Sequence, residues 1–172
     1  MKKLIIAATT LAAITAATPA AAQVVSSNPR ATASARLIKP LTLTAVQNLN
    51  FGTIVMGTLT GDDVVSISSA GVVACGTSTN LACSGSPQAA QFRITGTQGQ
   101  VVVVSSSAAS FALTGSNGGS LAFVPSLPAV PITLGNSGAP GNSFNVGGSI
   151  TIGTATLDGV YSGQIDVQVA YQ

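Results

Sequence analysis

Two cysteines, Cys75 and Cys83, are the residues best suited to chemistry, and they flank the stretch GTSTNLA. In an oxidising compartment, an even number of cysteines predicts a disulfide. Closing so short a loop contributes about 2–3 kcal/mol in the chain-entropy model. A metal site is the alternative, but a closed zinc site takes four ligands and the chain has no histidine. The spacing and the count therefore predict a Cys75–Cys83 disulfide.

Few other residues offer catalytic chemistry. Asp62 and Asp63 could touch calcium, but the alternating carboxylates and the glycine of a calcium loop are missing. We therefore expect a solvated turn at this pair. Serines are abundant, but a serine nucleophile needs a base beside it, and Lys39 lies in no S-x-x-K motif. The sequence predicts that the protein is not an enzyme and that it has no catalytic residue, cofactor or metal.

The first 22 residues have the pattern of a cleaved secretory signal peptide. Lys2 and Lys3 precede an alanine-rich apolar stretch, Leu4–Ala17, and Pro19 is followed by three alanines. The apolar stretch is too short for a stable membrane span. We interpret residues 1–22 as the signal, 23–30 as a flexible extension and 31–172 as a single domain, with no transmembrane segment in the mature protein.

Charge is scarce in the mature chain. Residues 23–172 contain four basic residues (Arg30, Arg36, Lys39 and Arg93) and four acidic ones (Asp62, Asp63, Asp158 and Asp166), so their formal net charge is zero. A protein that binds nucleic acid needs clustered Lys and Arg, which are absent. Ser and Thr make up 35 of these 150 residues. Such a surface is compatible with an ordinary secreted β-protein, and it also favours association between copies, because low net charge favours association.

The hydrophobic pattern predicts an all-β chain of about nine or ten short strands. Runs rich in Val, Ile, Thr and Phe are separated by Gly, Ser, Asn and Pro, which is typical of a sandwich or barrel. Asn117-Gly118 is expected to supply the positive φ of a tight hairpin. The predicted core contains four phenylalanines on separate strands: Phe51, Phe92, Phe111 and Phe123.

The final stretch, GVYSGQIDVQVAYQ, has the clearest strand pattern. From Tyr161 to Tyr171 the odd positions are mostly apolar and the even positions mostly polar, which indicates one strand with a buried face. The residues assigned to this candidate assembly strand are Gly159, Tyr161, Ile165, Val167, Val169 and Tyr171. Either the fold closes on this strand, or a partner strand joins it. An ordinary interior strand that comes last is the alternative.

Two resemblances follow from these residues. A glycine fourteenth from the end and a penultimate tyrosine resemble the C-terminus of chaperone–usher pilin subunits. The segments ARLIKPLTLTAVQNLNFGTIVMG, FRITGTQGQ, FNVGGSITI and GVYSGQIDVQVAYQ resemble a secreted bacterial family, domain of unknown function 4402. This second resemblance extends from about Ala31 to the C-terminus.

Together, these two resemblances imply an immunoglobulin-like antiparallel β-sandwich, with an open edge or groove that a strand of another molecule fills. It implies a pilus or surface-fibre subunit, with self-association or a periplasmic chaperone and usher as partners. The expected location is the periplasm, outer surface or fimbrium of a Gram-negative bacterium. The alternative is a self-complete monomeric binding or adhesion module. Pilin cysteines typically join the first two strands, and QVVSSNPRA alternates poorly, so this chain departs from pilins at both points.

Overall fold

The computed structural model describes residues 22–172, and these residues form strands without any helix. The signal peptide predicted over residues 1–22 lies outside the described residues except for Ala22. The chain divides into a unit that ends at Arg36 and a unit from Leu37 to Gln172. Of the first unit, residues 22–36 are exposed and contain no strand. No helix in the described part of the chain is long and apolar enough to cross a membrane.

Thirteen strands follow in the second unit, more than the nine or ten predicted. They are β1 (Thr42–Gln47), β2 (Thr53–Met56), β3 (Asp63–Ile67), β4 (Val73–Cys75), β5 (Leu81–Ser84), β6 (Ala90–Thr95), β7 (Val101–Ser106), β8 (Phe111–Gly115), β9 (Ser120–Ser126), β10 (Ile132–Thr133), β11 (Asn142–Ile152), β12 (Tyr161–Ser162) and β13 (Val167–Tyr171). Residues 31–37 have the alternating sequence ATASARL but contain no strand, and the first strand begins at Thr42.

All pairings between these strands are antiparallel. The largest sheet has the order β1-β6-β11-β9-β8-β12, with β3 also paired to β11 and β4 to β3. A second sheet has the order β10-β7-β13, and β2 pairs with β5. These sheets pack as a β-sandwich, which confirms the predicted fold class.

The longest strand, β11, organises the large sheet. Its first half pairs with β6, and its second half pairs with β3 and β9 on opposite edges. Two adjacent glycines, Gly147 and Gly148, lie where the partners change. A Cβ at Gly147 would overlap the carbonyl oxygen of Ile67, and one at Gly148 would overlap the ring of Phe123. The glycines therefore permit a close approach that a side chain would block.

Two apolar clusters fill the sandwich. The first lies between β6, β11 and the sheet of β7 and β13, and it includes Phe92, stacked on Phe144 at 5.6 Å between ring centroids. The second lies beneath β2 and β5 and is centred on Phe123, whose ring meets Phe51 edge-on. Phe92 and Phe123 are buried as predicted, whereas Phe51 and Phe111 are half-buried at the margin of the second cluster.

Two local predictions are corrected by the structure. In the β8–β9 hairpin the positive φ angles belong to Gly118 and Gly119, not to Asn117. The predicted strand from Tyr161 to Tyr171 is also interrupted. Residues 163–166 leave the large sheet, so that β12 pairs with β8 and β13 pairs with β7. Gly163 approaches the backbone of β8 so closely that a Cβ would overlap Ala112 O.

The predicted disulfide is confirmed. Cys75 on β4 and Cys83 on β5 are bonded, with their Cα atoms 5.7 Å apart. The bond closes the loop that joins β4 to β5, and it packs against the second apolar cluster. It therefore fixes β5, and through β5 the partner strand β2, to the edge of the large sheet.

The closed loop also holds a carboxylate. Asp63 is 9% exposed and accepts hydrogen bonds from the N–H groups of Ser78 (2.6 Å), Thr77 (3.0 Å) and Val64 (2.9 Å). The Ser78 N–H, followed by the Thr77 N–H, lowers the pKa of Asp63 below its ordinary value against the opposing effect of burial. The prediction of a solvated turn is therefore wrong for Asp63, which anchors the loop.

We expect Phe123→Ala to lower the free energy of unfolding by about 3–5 kcal/mol, because this ring is fully buried and its removal leaves a cavity. Val124→Ala is the matched control on the same strand, since Val124 is 47% exposed. Urea unfolding followed by circular dichroism measures both. An equal loss in the two variants would show that Phe123 is not part of a packed core.

We expect the stability that Asp63 contributes to depend on pH and to be lost in acid. Its folded pKa lies below the unfolded value, so this stability is present above about pH 4 and is lost as the pH falls further toward the folded pKa. Asp63→Asn should be less stable than the parent at pH 7, and its urea midpoint should fall less between pH 5 and pH 3. Asp62→Asn, at the exposed neighbouring carboxyl, is the control and should retain the fall in stability that depends on Asp63. A parent and an Asp63→Asn variant with identical pH dependence would contradict the role of this carboxylate.

Candidate functional site

The last strand, β13, has one paired edge and one open edge. Among the described residues it pairs only with β7. Ser107 N–H donates to the carbonyl of Asp166, and Gln172 N–H donates to the carbonyl of Val101. Even-numbered residues therefore direct their backbone groups toward β7, because hydrogen-bonded positions alternate along an antiparallel pair. The N–H and C=O groups of Val167, Val169 and Tyr171 face the open edge.

The side chains of these same three residues point into the sandwich. Val167 is buried, and Val169 and Tyr171 are half-buried against the first apolar cluster. Gln168 and Ala170 lie on the outer face and are exposed. β13 thus combines an apolar inner face with an unpaired backbone edge, which is the arrangement that accepts an additional strand.

Across from β13 lies a second open edge. Within residues 22–172, β1 pairs only with β6 and forms the end of the large sheet. At one end, Tyr171 connects β13 to the segment before β1 and to the turn after β6. Its hydroxyl donates to the carbonyl of Lys39 (2.7 Å) and accepts from the N–H of Thr97 (2.8 Å). The penultimate tyrosine therefore closes this end of the gap between the two sheets.

The other end of the gap opens into a groove of about 920 Å³. One wall is the end of β1 at Gln47 and the connection to β2, which includes Leu49 and Phe51, and the other is the segment Thr156–Ile165. Buried residues of both clusters form the floor, among them Phe92, Phe123, Ile150 and Ile152. The rim is formed mainly by neutral side chains, and Asp158 is the single charged residue that lines it. We call this groove, with the open edges of β1 and β13, the assembly groove.

The remaining residues of the candidate assembly strand position one wall of this groove. Gly159 has φ +148, and a Cβ there would lie 2.9 Å from Ser116 Oγ, so this position favours glycine. Tyr161 lies on β12 and donates to the carbonyl of Leu157. Ile165 lies between β12 and β13 and packs against both apolar clusters.

Of the candidate assembly strand, Gly159, Tyr161 and Ile165 therefore line the groove, whereas Val167, Val169 and Tyr171 lie on β13, beyond the Ile165 end of the groove. Cys75 and Cys83 are not among the residues that line it. Sequence reasoning missed the opposite wall, at Gln47–Ile54, and the partners of the Tyr171 hydroxyl. The available sequence signal for that wall was Phe51, an aromatic residue that stands between Asn50 and Gly52. Asn and Gly are turn residues, and they indicate that the chain is not a continuous strand at this point.

The groups that the groove presents are suited to binding. No group of three His, Cys, Asp or Glu side chains that could hold a metal ion occurs in residues 22–172. It presents an apolar floor, and the adjoining strand β13 presents a row of unpaired backbone donors and acceptors over the first apolar cluster. An extended peptide can pair its backbone with such an edge while its alternate side chains face the cluster.

Comparison with known proteins gives one match. A family model described as "Domain of unknown function (DUF4402)" matches residues 41–171. No curated protein and no solved structure matches the chain. The matched range begins immediately before β1 and ends on Tyr171, so it includes both open edges of the assembly groove.

We expect Tyr171→Phe to destabilise the fold by about 1–3 kcal/mol, because one missing oxygen removes two hydrogen bonds worth about 0.5–1.5 kcal/mol each. Tyr161→Phe is the matched control. It removes one bond to an exposed carbonyl and should cost less. Urea unfolding of both variants tests this, and equal losses would show that the Tyr171 hydroxyl does not hold the two edges together.

Proposed function

The chain belongs to the family described as "Domain of unknown function (DUF4402)", and we propose that it is an exported structural protein, a pilus or surface-fibre subunit that assembles by β-strand addition. The observation that carries the proposal is the unpaired edge of β13, whose inner face is apolar and which leads at Ile165 into an apolar groove. The role is structural rather than catalytic, and the partner is a second copy of the chain, delivered by a periplasmic chaperone and usher.

The energetics favour an occupied edge. An exposed strand edge is a template for pairing, and many proteins protect such an edge with charges, prolines or a covering element. β13 contains neither a charged residue nor a proline, and its inner face is apolar. An added strand would bond the backbone groups of Val167, Val169 and Tyr171 and would bury more of the half-exposed valine and tyrosine surface.

The surface composition supports association between copies. The eight charges of residues 23–172 balance to a formal net charge of zero, so little long-range repulsion opposes contact between two molecules. The described N-terminal residues support it as well. Residues 22–36 are exposed and contain no strand, and Val24 and Val25 are 91% and 81% exposed. Such a segment is available as the strand that another copy receives.

Export is supported by two observations. The N-terminal pattern is that of a secretory signal, and the Cys75–Cys83 disulfide is typical of an oxidising compartment. The proposal therefore places the mature protein in the periplasm, on the outer surface or in the fimbriae of a Gram-negative bacterium.

A second candidate function is a self-complete monomeric module that binds a ligand at the cell surface. The observation that favours it is the polar rim of the groove, where the amides of Gln47, Asn48 and Gln164 surround an apolar floor. In this candidate the groove holds a neutral ligand, and the edge of β13 stays unpaired. The two functions differ in oligomeric state, which the following experiment measures.

We expect Val169→Pro to stop assembly while leaving the monomer folded. The Val169 N–H faces the open edge, so proline removes a donor that an added strand needs and none that β7 uses. Ala170→Pro is the matched control. Its N–H faces β7, so this variant should be destabilised in the monomer. Oligomers of the exported protein are measured by size-exclusion chromatography with light scattering, and folding by urea unfolding.

A parent that stays monomeric at all concentrations and in the producing cell would contradict the subunit proposal and favour the binding module. A Val169→Pro variant that assembles like the parent would show that the edge of β13 is not the site of assembly.

A further inference from the structure

The outer surface of the large sheet has an unusual composition over five adjacent strands. In the order β8-β9-β11-β3-β4, with β11 contributing its second half, the inward side chains build the second apolar cluster. The alternate side chains of these strands therefore point outward. Every one of them is Ser, Thr, Ala or Val, and we call these eleven residues the neutral face: Val64, Ser66, Ala74, Ala112, Thr114, Ser120, Ala122, Val124, Ser126, Ser149 and Thr151.

The neutral face contains no charged, aromatic or long side chain. Two exposed charges lie at its margins, Arg93 on the neighbouring strand β6 and Asp62 just before β3. Because its side chains are all short, the face is low and even. A second flat surface can therefore approach it without displacing and ordering flexible side chains, which would cost conformational entropy.

Two valines expose apolar surface beside the central strand of the neutral face. Val64 is 49% exposed and Val124 is 47% exposed. They lie on opposite sides of β11, with Val124 opposite Ser149 and Val64 opposite Thr151. Covering these valines removes apolar surface from water, which favours contact with a partner.

The hydroxyl groups of the neutral face are available to a partner. Within residues 22–172, no side-chain hydrogen bond is formed by any of the six hydroxyl groups, which belong to Ser66, Thr114, Ser120, Ser126, Ser149 and Thr151. A hydroxyl group both donates and accepts hydrogen bonds. Such groups can therefore bond to copies of themselves, whereas ammonium groups or carboxylates of one kind repel each other.

These properties favour a second copy of the same face as the partner. In a two-fold contact, the same surface patch is used by both molecules. A charged residue near the two-fold axis would meet its own like charge. The neutral face avoids this repulsion, its hydroxyl groups are self-complementary, and its valines can cover each other. A strongly charged partner would find no opposite charge on it.

The size of the neutral face indicates how strong such a contact is. Five strands cover a width of about 24 Å, and the outward residues extend about 13 Å along them, which gives an area of roughly 300 Å². A stable interface buries about 800 Å² on each partner. Two separate molecules are therefore not expected to form a stable dimer through this face. In a fibre the face is repeated, so many weak contacts act together.

We propose that the neutral face is the surface through which fibres of this protein associate side by side, each copy contacting the neutral face of a copy in the neighbouring fibre. The inference rests on the proposed function, because it requires fibres. None of the eleven residues lines the assembly groove or belongs to β13. Lateral association and strand addition therefore use different residues and can be separated by mutation.

Electron microscopy of exported fibres tests this inference. The parent should form bundles, whereas Ser149→Lys should form single fibres of unchanged length, because the lysine lies on the central strand, where two faces would bring like charges together. Ser105→Lys is the matched control, since Ser105 is exposed on β7 in the second sheet and the same charge there should leave the bundles intact. The fraction of protein sedimented at low speed, which measures bundles, should fall several-fold for Ser149→Lys only. Thr151→Lys, at a fully outward position of the same strand, should act like Ser149→Lys and replaces it if that variant does not fold.

Mixing the fibres shows whether the neutral face meets itself. Ser149→Lys fibres and Ser149→Asp fibres should each stay single, and a mixture of the two should bundle at low salt and separate when salt screens the attraction. Single fibres in the parent, bundles that persist in both lysine variants, or a mixture that stays single would overturn this inference alone, since fibres have formed. A parent that forms no fibres overturns the proposed function and this inference with it.

Discussion

The fold depends on the pairing of one strand, β11, with three neighbouring strands. A strand has only two edges, yet β11 pairs with β6 along its first half and with β3 and β9 along its second. This arrangement carries one continuous strand through both apolar clusters. It is possible because Gly147 and Gly148 present no side chain where the neighbouring strands approach most closely. The placement of the assembly groove follows, since the sheet that ends in β1 and the cluster beneath it are both built on β11.

The sequence predicted the fold class because that class is a local property. Period-two alternation and turn residues specify strands wherever they occur, and the antiparallel sandwich follows from many short strands. The disulfide was predictable for a similar reason, since Cys75 and Cys83 have no competing partners. In both cases the information lies within a few residues or in a simple count.

Features that depend on contacts between residues distant in sequence were harder to predict from the sequence. From Tyr161 to Tyr171 the alternation continues without a break, although the chain passes from one sheet to the other. Gly163 lacks a side chain, so it is compatible with either a buried or an exposed position in the alternation. The alternation therefore does not reveal that the chain changes sheets after β12. Asp63 gave no sign of its role because its partners, Thr77 and Ser78, are backbone groups distant in sequence. The far wall of the groove depends on which loops meet, and alternation within a strand does not encode this.

The antiparallel pairing of β13 with β7 has a mechanical consequence. Five residue pairs hold the two strands together. Tension applied along β13 would load these hydrogen bonds in shear, so that they share the force rather than break one after another as in peeling. A strand added to the other edge of β13 would pass its own tension to β13 in the same direction. Resistance to stretching would then come from the lengthwise overlap of neighbouring strands, with the disulfide loop lying outside the path of the force.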